Sequence, residues 1–331
     1  MRLVHPRAAA IVAHRRWVGV LALAWVLGSD RGHAQNGGQQ LTGPGMRELY
    51  LRLSPAESLH VTMAGSGAPV VLIPGLFGSA FGYRHLLAQL PAAGYQAIVI
   101  EPLGIGTSAR PERSDYSLSS QADRLAVALD RLGMGPAVVV AHSTGASMAL
   151  RLASKRPELV AAVVSLEGGP AETATSAGFR RAMTYVPWVK WLGGIRRVRS
   201  VIRKNLVATS GDTTWVTEKV IDGYTAGAKA DLDGTLKAYL SMAEAREPER
   251  LVPRLGEVRC PVRLVLGTVP HKGGIPADQL AALQRGLASF AIDSIPGVGL
   301  YAYEERPEAV VEAVRKGSQD AAALAAQRDS D

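Results

Sequence analysis

Residues 137–145 read Ala-Val-Val-Val-Ala-His-Ser-Thr-Gly, an apolar, β-branched run that gives way to a polar turn around Ser143. Residues 146–152 are mostly good helix formers, so the serine is predicted to stand between the end of a strand and the N-terminus of a helix. Such a turn strains the serine backbone and exposes its hydroxyl. The first amides of the helix then face whatever the serine oxygen attacks. This pattern is typical of a nucleophile elbow.

The segments on both sides of this turn alternate between predicted strands and predicted helices. Repeated strand–helix units predict an α/β fold with a mainly parallel sheet and helices on both faces. The first two strands are predicted to form an antiparallel pair. The predicted strands are 48–53, 58–64, 70–73, 96–100, 137–141, 160–166, 262–266 and 290–295. The predicted helices are 82–90, 119–132, 144–154, 277–287 and 307–316, followed by an Ala-rich tail over 317–331 that is predicted to be disordered.

One long segment, residues 170–258, interrupts the alternation with helical periodicity and no strong strand. It is predicted to be a helical cap, inserted after the sixth strand, that divides the core into residues 35–169 and 259–316. Part of it places apolar residues at helical spacing and basic residues at most other positions, beside Trp188 and Trp191. Two interpretations of this basic helix stay open: a solvated outer face, or peripheral contact with a membrane of anionic lipid.

The first 34 residues differ in composition from the rest. Several arginines precede or flank the apolar stretch 17–28, and Gly32-His33-Ala34 offers a small-residue cleavage site. The pattern predicts a signal peptide over residues 1–34 and a periplasmic or secreted protein. The apolar run is short for a bilayer span, which disfavours a retained anchor. Both general secretion and twin-arginine export fit, and Arg15-Arg16 points weakly to the second.

Composition limits the function classes. The 331 residues are 47% apolar and carry a formal charge of +8, which falls to +4 once a signal with five of the 37 basic and one of the 29 acidic residues is removed. The single cysteine, Cys260, excludes an intramolecular disulfide and is expected to be a buried, inert thiol. No metal-ligand cluster or nucleic-acid motif emerges, so we predict no cofactor, no metal and no nucleic-acid partner.

Two further motifs accompany the elbow. Residues 71–79 read Val-Leu-Ile-Pro-Gly-Leu-Phe-Gly-Ser, and residues 101–108 read Glu-Pro-Leu-Gly-Ile-Gly-Thr-Ser. Together with the elbow and the cap, they resemble the α/β-hydrolase superfamily over residues 46–316. The first resembles the family's His-Gly loop with Pro74 in place of the histidine, and the second resembles its Asp-x-x-Gly-x-Gly-x-Ser turn. The resemblance implies a capped, esterase- or lipase-like member with Ser143 as the nucleophile.

The resemblance also implies an oxyanion hole. Its two donors would be the backbone amides of Thr144, directly after the nucleophile, and of Leu76, two residues after Pro74. Neither amide depends on the identity of its side chain. Loss of one such donor typically costs about 3 kcal/mol of transition-state stabilisation. Some acyl chemistry is therefore expected to survive other changes at the site.

The catalytic histidine that the resemblance implies is absent. A serine hydroxyl needs a base to take its proton, and the family supplies a histidine from the loop after the last strand. That loop reads Pro-Gly-Val-Gly-Leu-Tyr over 296–301, with Leu300 in the place of the histidine. The usual acid position after the preceding strand is Pro270. The triad is therefore atypical and incomplete.

One substitute for the missing partners is His271, beside the vacant acid position. Glu167 closes the sixth strand, where some members of the superfamily place their acid. The hypothesis is a rearranged triad of Ser143, His271 and Glu167, with one imidazole nitrogen within hydrogen-bond reach of the hydroxyl and the other near the carboxylate. The alternative is a solvent-exposed histidine in a Pro/Gly-rich loop. His142 is expected to point away from Ser143, because adjacent side chains at a strand end face opposite sides.

Two functions from different classes follow. The first is an exported, cofactor-free serine hydrolase acting on carboxylic esters or related small-molecule acyl substrates. The second is a noncatalytic protein of the same fold that binds a small apolar ligand or a protein partner, since fold does not imply function. A dehalogenase is disfavoured because its nucleophile would be a carboxylate at position 143, and a cofactor-independent oxygenase would need the absent histidine. The sequence indicates no oligomeric state.

Overall fold

The computed structural model describes residues 45–175, 180–181 and 194–330. The predicted signal peptide over residues 1–34 lies outside the described residues, and so do Trp188 and Trp191 of the cap.

Eight strands form one sheet. They are β1 (Met46–Arg52), β2 (Ser58–Ala64), β3 (Ala68–Ile73), β4 (Tyr95–Ile100), β5 (Ala137–His142), β6 (Val160–Leu166), β7 (Val262–Gly267) and β8 (Phe290–Ile295). Their order across the sheet is β1-β2-β4-β3-β5-β6-β7-β8. Strand β2 pairs antiparallel with β1 and β4, and every other neighbouring pair is parallel. The predicted α/β class with a mainly parallel sheet is confirmed.

Helices cover both faces of this sheet. In chain order they are α1 (Arg84–Ala92), α2 (Leu118–Arg131), α3 (Thr144–Lys155), α4 (Gly194–Thr209), α5 (Glu218–Ala230), α6 (Leu232–Glu244), α7 (Ala277–Gly286), α8 (Ala302–Glu305) and α9 (Pro307–Ser330). Helices α4, α5 and α6 lie between β6 and β7, where the sequence predicts the cap. Among the described helices, none is long and apolar enough to cross a bilayer.

The continuous apolar runs of the central strands follow from burial on both faces. In β5, Val139 and Ala141 belong to one buried apolar cluster, while Val138 and Val140 belong to the other. Successive side chains of a strand point to opposite faces, so a strand covered on both sides needs apolar residues at every position. The sheet therefore stands between two cores, and its carboxyl edge carries the elbow.

The C-terminal helix differs from its prediction. Helix α9 continues to Ser330 through the segment predicted to be a disordered tail. Alanine is the strongest helix former, and the segment is anchored by contacts that the local sequence does not reveal. Arg263 of β7 forms an ion pair with Asp320, and the Arg328 guanidinium donates to the Arg259 carbonyl oxygen at 2.7 Å.

A buried carboxylate organises the loops beside the elbow. Glu101 follows β4 and accepts hydrogen bonds from the amides of Ala80 at 2.7 Å and Thr107 at 2.6 Å. Its Oε2 lies 3.2 Å from Nδ1 of His60. Burial acts to raise the pKa of Glu101, but His60 and the two amides outweigh it and hold that pKa below its usual value. Burial acts to lower the pKa of His60, but Glu101 and Glu48 outweigh it and raise that pKa.

This pair predicts a pH-dependent stability. The charged imidazole stabilises the fold fully below its unfolded pKa of about 6.5, and that contribution is lost as the pH rises through the higher folded pKa. The ionised Glu101 carboxylate stabilises the fold above its unfolded pKa of about 4.3. That stabilisation is lost as the pH falls through the lower folded pKa. We therefore expect His60→Gln to reduce the free energy of unfolding more at about pH 5.5 than at about pH 8.5. Urea unfolding of both proteins at both pH values measures this difference. Equal losses would contradict the charged pair.

Candidate active site

Ser143 stands at a strained turn between β5 and α3. Its backbone has φ 52° and ψ −119°, a left-handed conformation that costs a non-glycine residue about 1–3 kcal/mol. The Ser143 amide donates to the Leu166 carbonyl oxygen at 2.9 Å, and its own carbonyl accepts from the Ala146 amide at 3.0 Å. A Cβ at Gly168 would lie only 2.4 Å from the Ser143 carbonyl oxygen, so glycine is needed there. The serine side chain is left partly exposed.

The loop after β3 lies against this turn. A Cβ at Gly75 would be 3.2 Å from the Ser143 Cβ, and the Leu76 amide donates to Thr144 Oγ1 at 3.2 Å. The next residue, Phe77, has φ 66°. The two segments whose amides are predicted to form the oxyanion hole are thus in contact. An oxygen that develops charge at this place must displace Thr144 Oγ1 from the Leu76 amide.

Glu167 and His271 come together beside the ends of β6 and β7. Oε2 of Glu167 lies 3.4 Å from Nε2 of His271, both side chains are almost fully buried, and the Gly267 amide donates to Oε1 at 2.5 Å. Glu167 also has a left-handed backbone, with φ 55°. Burial raises the pKa of Glu167, against the opposing effects of the Gly267 amide and His271. The loop that carries His271 approaches Glu167 closely because residue 274 is glycine. A Cβ at that position would lie only 2.9 Å from Glu167 Oε2.

The ring of His271 is turned away from a triad arrangement. Its Nδ1 lies 2.7 Å from the Val269 carbonyl oxygen, which only accepts, so Nδ1 carries a proton. Nε2 faces Glu167, so both nitrogens face oxygen acceptors. In the part of the chain that the structure describes, no hydrogen bond joins His271 to the Ser143 hydroxyl. The histidine–carboxylate pair, which is half of the hypothesised arrangement, is present in the structure. The catalytic roles of these residues stay predictions.

Leu300 fills the place of the missing histidine. Its amide donates to the Thr209 carbonyl oxygen of α4 at 2.8 Å, its carbonyl accepts from Nε2 of His142 at 3.1 Å, and its side chain is buried. A Cβ at Gly273 would lie 3.5 Å from Leu300 Cδ2, so the leucine packs against the loop that carries His271. The backbone of residue 300 is therefore held firmly beside the elbow, with an apolar side chain.

His142 is held as a neutral imidazole. Burial lowers its pKa to about 4, and its ring packs 5.6 Å from the Tyr301 ring and 5.1 Å from the Tyr303 ring, between centroids. The His142 ring faces the loop that carries Leu300. The alternation of side chains along a strand does not predict this contact. Glu305 fixes the same loop, because its carboxylate accepts from the amides of Gly299, Gly211 and Asp212 at 3.1, 2.8 and 2.8 Å. No local motif marks these contacts, since their partners are distant in the chain.

Comparison with known proteins identifies the fold. A sequence model for the α/β hydrolase fold matches residues 68–207. The chain has the α/β-hydrolase fold. Two solved structures share the fold: Cfl2 from Burkholderia cenocepacia, with TM-score 0.68 and 22% identity over 85% of this chain and 97% of that chain, and the epoxide hydrolase CorEH, with TM-score 0.68 and 18% identity over 82% and 98%.

Curated relatives of this chain are matched over parts of their length. Bifunctional epoxide hydrolase 2 of Sus scrofa is 34% identical over 118 residues, which are 35% of this chain and 21% of that protein. The putative carbamate hydrolase RutD of Klebsiella pneumoniae (strain 342) is 31% identical over 193 residues, 57% of this chain and 64% of that protein. The chain thus spans about a fifth of the first relative and less than two thirds of the second.

Two adjoining cavities lie between the hydrolase core and the cap. The smaller, about 200 Å³, is lined by Leu76 and His142 from the elbow side, and the larger, about 330 Å³, extends beneath α4, α5 and α6. Their shared walls place the loop after β3 next to a partly open, mostly apolar space of the size that small-molecule ligands occupy. The residues common to both are Phe77, Gly78, Val201, Ile202 and Tyr224.

Proposed function

We propose that this α/β-hydrolase-fold protein uses Ser143 to cleave carboxylic esters or related acyl substrates held beneath the cap. The left-handed backbone of Ser143 carries the proposal. That conformation is costly for a non-glycine residue and is typical of a nucleophile elbow. The preceding residue, His142, and Leu76 of the loop after β3 line the smaller cavity, which supports a substrate site next to the serine. Strained backbone conformations of this kind cluster at active sites and ligand-binding segments.

The serine favours acyl transfer over epoxide opening. The relatives include proteins named as epoxide hydrolases and as putative carbamate hydrolases. Attack of a serine hydroxyl on an epoxide would leave an alkyl ether, which water does not readily cleave. Attack on an ester or carbamate carbonyl leaves an acyl- or carbamoyl-serine, which water hydrolyses to restore the enzyme. A serine at position 143 therefore fits substrates with a carbonyl group.

The chemical steps assign a role to each group. Ser143 Oγ attacks the carbonyl carbon and gives up its proton to a base, while the carbonyl oxygen becomes an anion that accepts from the Leu76 and Thr144 amides. Collapse expels the alcohol, which takes the proton from the base. We propose His271 as this base, oriented by Glu167. The role requires the ring to leave the Val269 carbonyl in the substrate complex, where catalytic hydrogen bonds often tighten.

Replacement of His271 by alanine tests the base. We expect kcat for a 4-nitrophenyl ester to fall by about 10²-fold, because a positioned general base contributes about 10²–10⁴. The KM should change little, since the cavities are lined by other residues. His85→Ala is the matched control, because His85 has a side chain that is 44% exposed. An unchanged kcat in His271→Ala would show that the proton leaves by another route.

A second function is favoured by one observation. Both ring nitrogens of His271 face acceptors, and the base position of the family holds a buried leucine. A noncatalytic protein that binds an apolar ligand in the same cavities needs no base. Ligand binding without turnover of any ester by folded protein would support this function over the hydrolase.

A further inference from the structure

Two arginines line the larger cavity, whose wall is otherwise mostly apolar. Arg110 reaches it from the segment after the turn that follows β4, and Arg197 reaches it from α4. Leu232 and Leu236 of α6 and Val198 of α4 form part of the apolar wall. A cavity that recognised only apolar ligands would gain nothing from guanidinium groups, which are costly to leave unpaired in apolar surroundings.

Most hydrogen-bond donors of Arg110 have no partner among the described residues. Its Nη2 donates to the Gly106 carbonyl oxygen, and its Nε is buried without an acceptor. Within the described ranges, no carboxylate lies within ion-pair distance of this guanidinium. Asp231, at the start of α6, is used to cap that helix and accepts from the Gly234 amide at 2.8 Å. Arg110 therefore has hydrogen-bonding capacity that the described residues leave unused.

Two other arginines of α4 show a contrast with those at the cavity. Arg199 forms ion pairs with Glu218 and Asp222 of α5, and Arg203 forms one with Glu218. Neither of these paired arginines lines the larger cavity. Arg197 does line it, is exposed, and forms no ion pair with the residues that the structure describes. The arginines that face α5 are thus paired, whereas Arg110 and Arg197 line the cavity and form no ion pair within the described ranges. Arg196 also forms none there, but it is exposed and does not line the cavity.

We propose that the larger cavity binds an amphipathic organic anion. Its anionic group, a carboxylate in the simplest case, accepts from the Arg110 guanidinium, and its chain lies against Leu232, Leu236 and Val198. An arginine holds a carboxylate through charge-assisted hydrogen bonds. Phe77, whose ring lies 4.9 Å from that of Tyr239, stands on the wall shared with the smaller cavity beside the oxyanion loop.

Two sources of this chemistry are distinguished by experiment. The anion is either a free carboxylate, or the distal end of an ester substrate whose carbonyl lies at Ser143. The second source rests on the function proposed above. The cavity of about 330 Å³ adjoins the smaller one. In the second case, one extended substrate spans both cavities, from Arg110 to the loop that carries Leu76.

Calorimetric binding of decanoate and decan-1-ol to the full chain tests the site. We expect decanoate to bind at least about tenfold more tightly than the alcohol, and Arg110→Gln to abolish this preference. Arg110→Lys should retain part of it, because lysine keeps the charge without the planar fork. Arg113→Gln is the matched control, since Arg113 is exposed and does not line the cavity. Equal binding of acid and alcohol to the wild-type protein, binding of neither, or an unchanged preference in Arg110→Gln would overturn the proposal.

A kinetic arm separates the two sources. The mono-4-nitrophenyl ester of decanedioic acid carries a distal carboxylate, and 4-nitrophenyl decanoate does not. A loss of about tenfold in kcat/KM for the first ester only, in Arg110→Gln, identifies an anionic substrate. Carboxylate-selective binding with no such change identifies a free carboxylate. The same binding with no turnover of either ester overturns the hydrolase function and leaves the anion site standing.

Discussion

Replacing Ser143 by alanine is expected to reduce turnover of a 4-nitrophenyl ester by at least about 10³-fold. Removal of the nucleophile abolishes the acyl-enzyme, and in serine hydrolases only the contribution of the oxyanion hole and of substrate binding then remains. The Leu76 amide and the cavities do not depend on the serine hydroxyl, so the KM of any residual activity should stay close to that of the wild type. Steady-state kinetics with both proteins measure the loss.

The control for this substitution lies on α3, the helix that follows Ser143. Ser154→Ala removes a hydroxyl that donates to the Arg151 carbonyl oxygen of α3, at 3.1 Å. We expect it to retain the wild-type rate. Alanine at position 143 must adopt the same left-handed backbone, so the melting temperatures of both variants should be compared. A folded Ser143→Ala protein that keeps the wild-type rate would exclude this serine as the nucleophile.

Replacing Leu300 by histidine is expected to raise kcat by about 10²-fold or more, the contribution typical of a positioned general base. The backbone of residue 300 is held by the Thr209 carbonyl oxygen and by Nε2 of His142, the residue before Ser143. A histidine there takes the place that the superfamily gives its base. Leu300 and Glu167 approach neighbouring residues of one loop, since Cβ atoms at Gly273 and Gly274 would lie 3.5 Å from Leu300 Cδ2 and 2.9 Å from Glu167 Oε2. Ester hydrolysis by the purified variant measures the gain.

Two further variants show whether the gain comes from the new imidazole. Leu300→Asn introduces a polar side chain of similar size that cannot act as a base, and it should leave kcat at or below the wild-type value. In the Leu300→His background, His271→Ala should matter far less than it does in the wild type, because the proton then passes to residue 300. No gain in Leu300→His, with the fold intact, would mean that the missing histidine does not limit the rate.

The sheet and the elbow were predictable because their signals are local. Val138 to Ala141 are apolar at every position, as a strand buried on both faces requires, and Ser143 follows at the point where helix formers begin. The C-terminal helix was mispredicted, because its ion pair between Arg263 and Asp320 joins residues far apart in the chain. The predicted signal peptide stays a prediction.

The candidate site was predictable only in part. The sequence places His271 and Glu167 near the carboxyl edge of neighbouring strands, and the structure pairs them. The direction of the His271 ring depends on the Val269 carbonyl, and the state of the Leu76 amide depends on the Thr144 hydroxyl. Such contacts follow from tertiary packing and loop conformation, which residue patterns do not specify. Arg110 was passed over because nothing in its neighbourhood along the chain indicates an unpaired charge at a cavity.

Fold and activity are separate conclusions for this chain. Its α/β-hydrolase fold holds the strained serine, the two loops predicted to form an oxyanion hole and a cavity beneath the cap, whereas a leucine stands where the usual base is expected. The remaining histidine–carboxylate pair is within the site but is oriented towards other partners. The central claim is therefore that Ser143 is still an activated nucleophile despite this replacement.

Intact-mass analysis of the purified protein after incubation with a fluorophosphonate tests that claim most directly. The reagent phosphonylates an activated serine and expels fluoride, so one phosphonyl group should be added to the wild-type protein, located at Ser143 by peptide mapping. The Ser143→Ala protein should gain no mass under the same conditions. Folded wild-type protein that gains no mass, or equal labelling of wild type and Ser143→Ala, would contradict the claim.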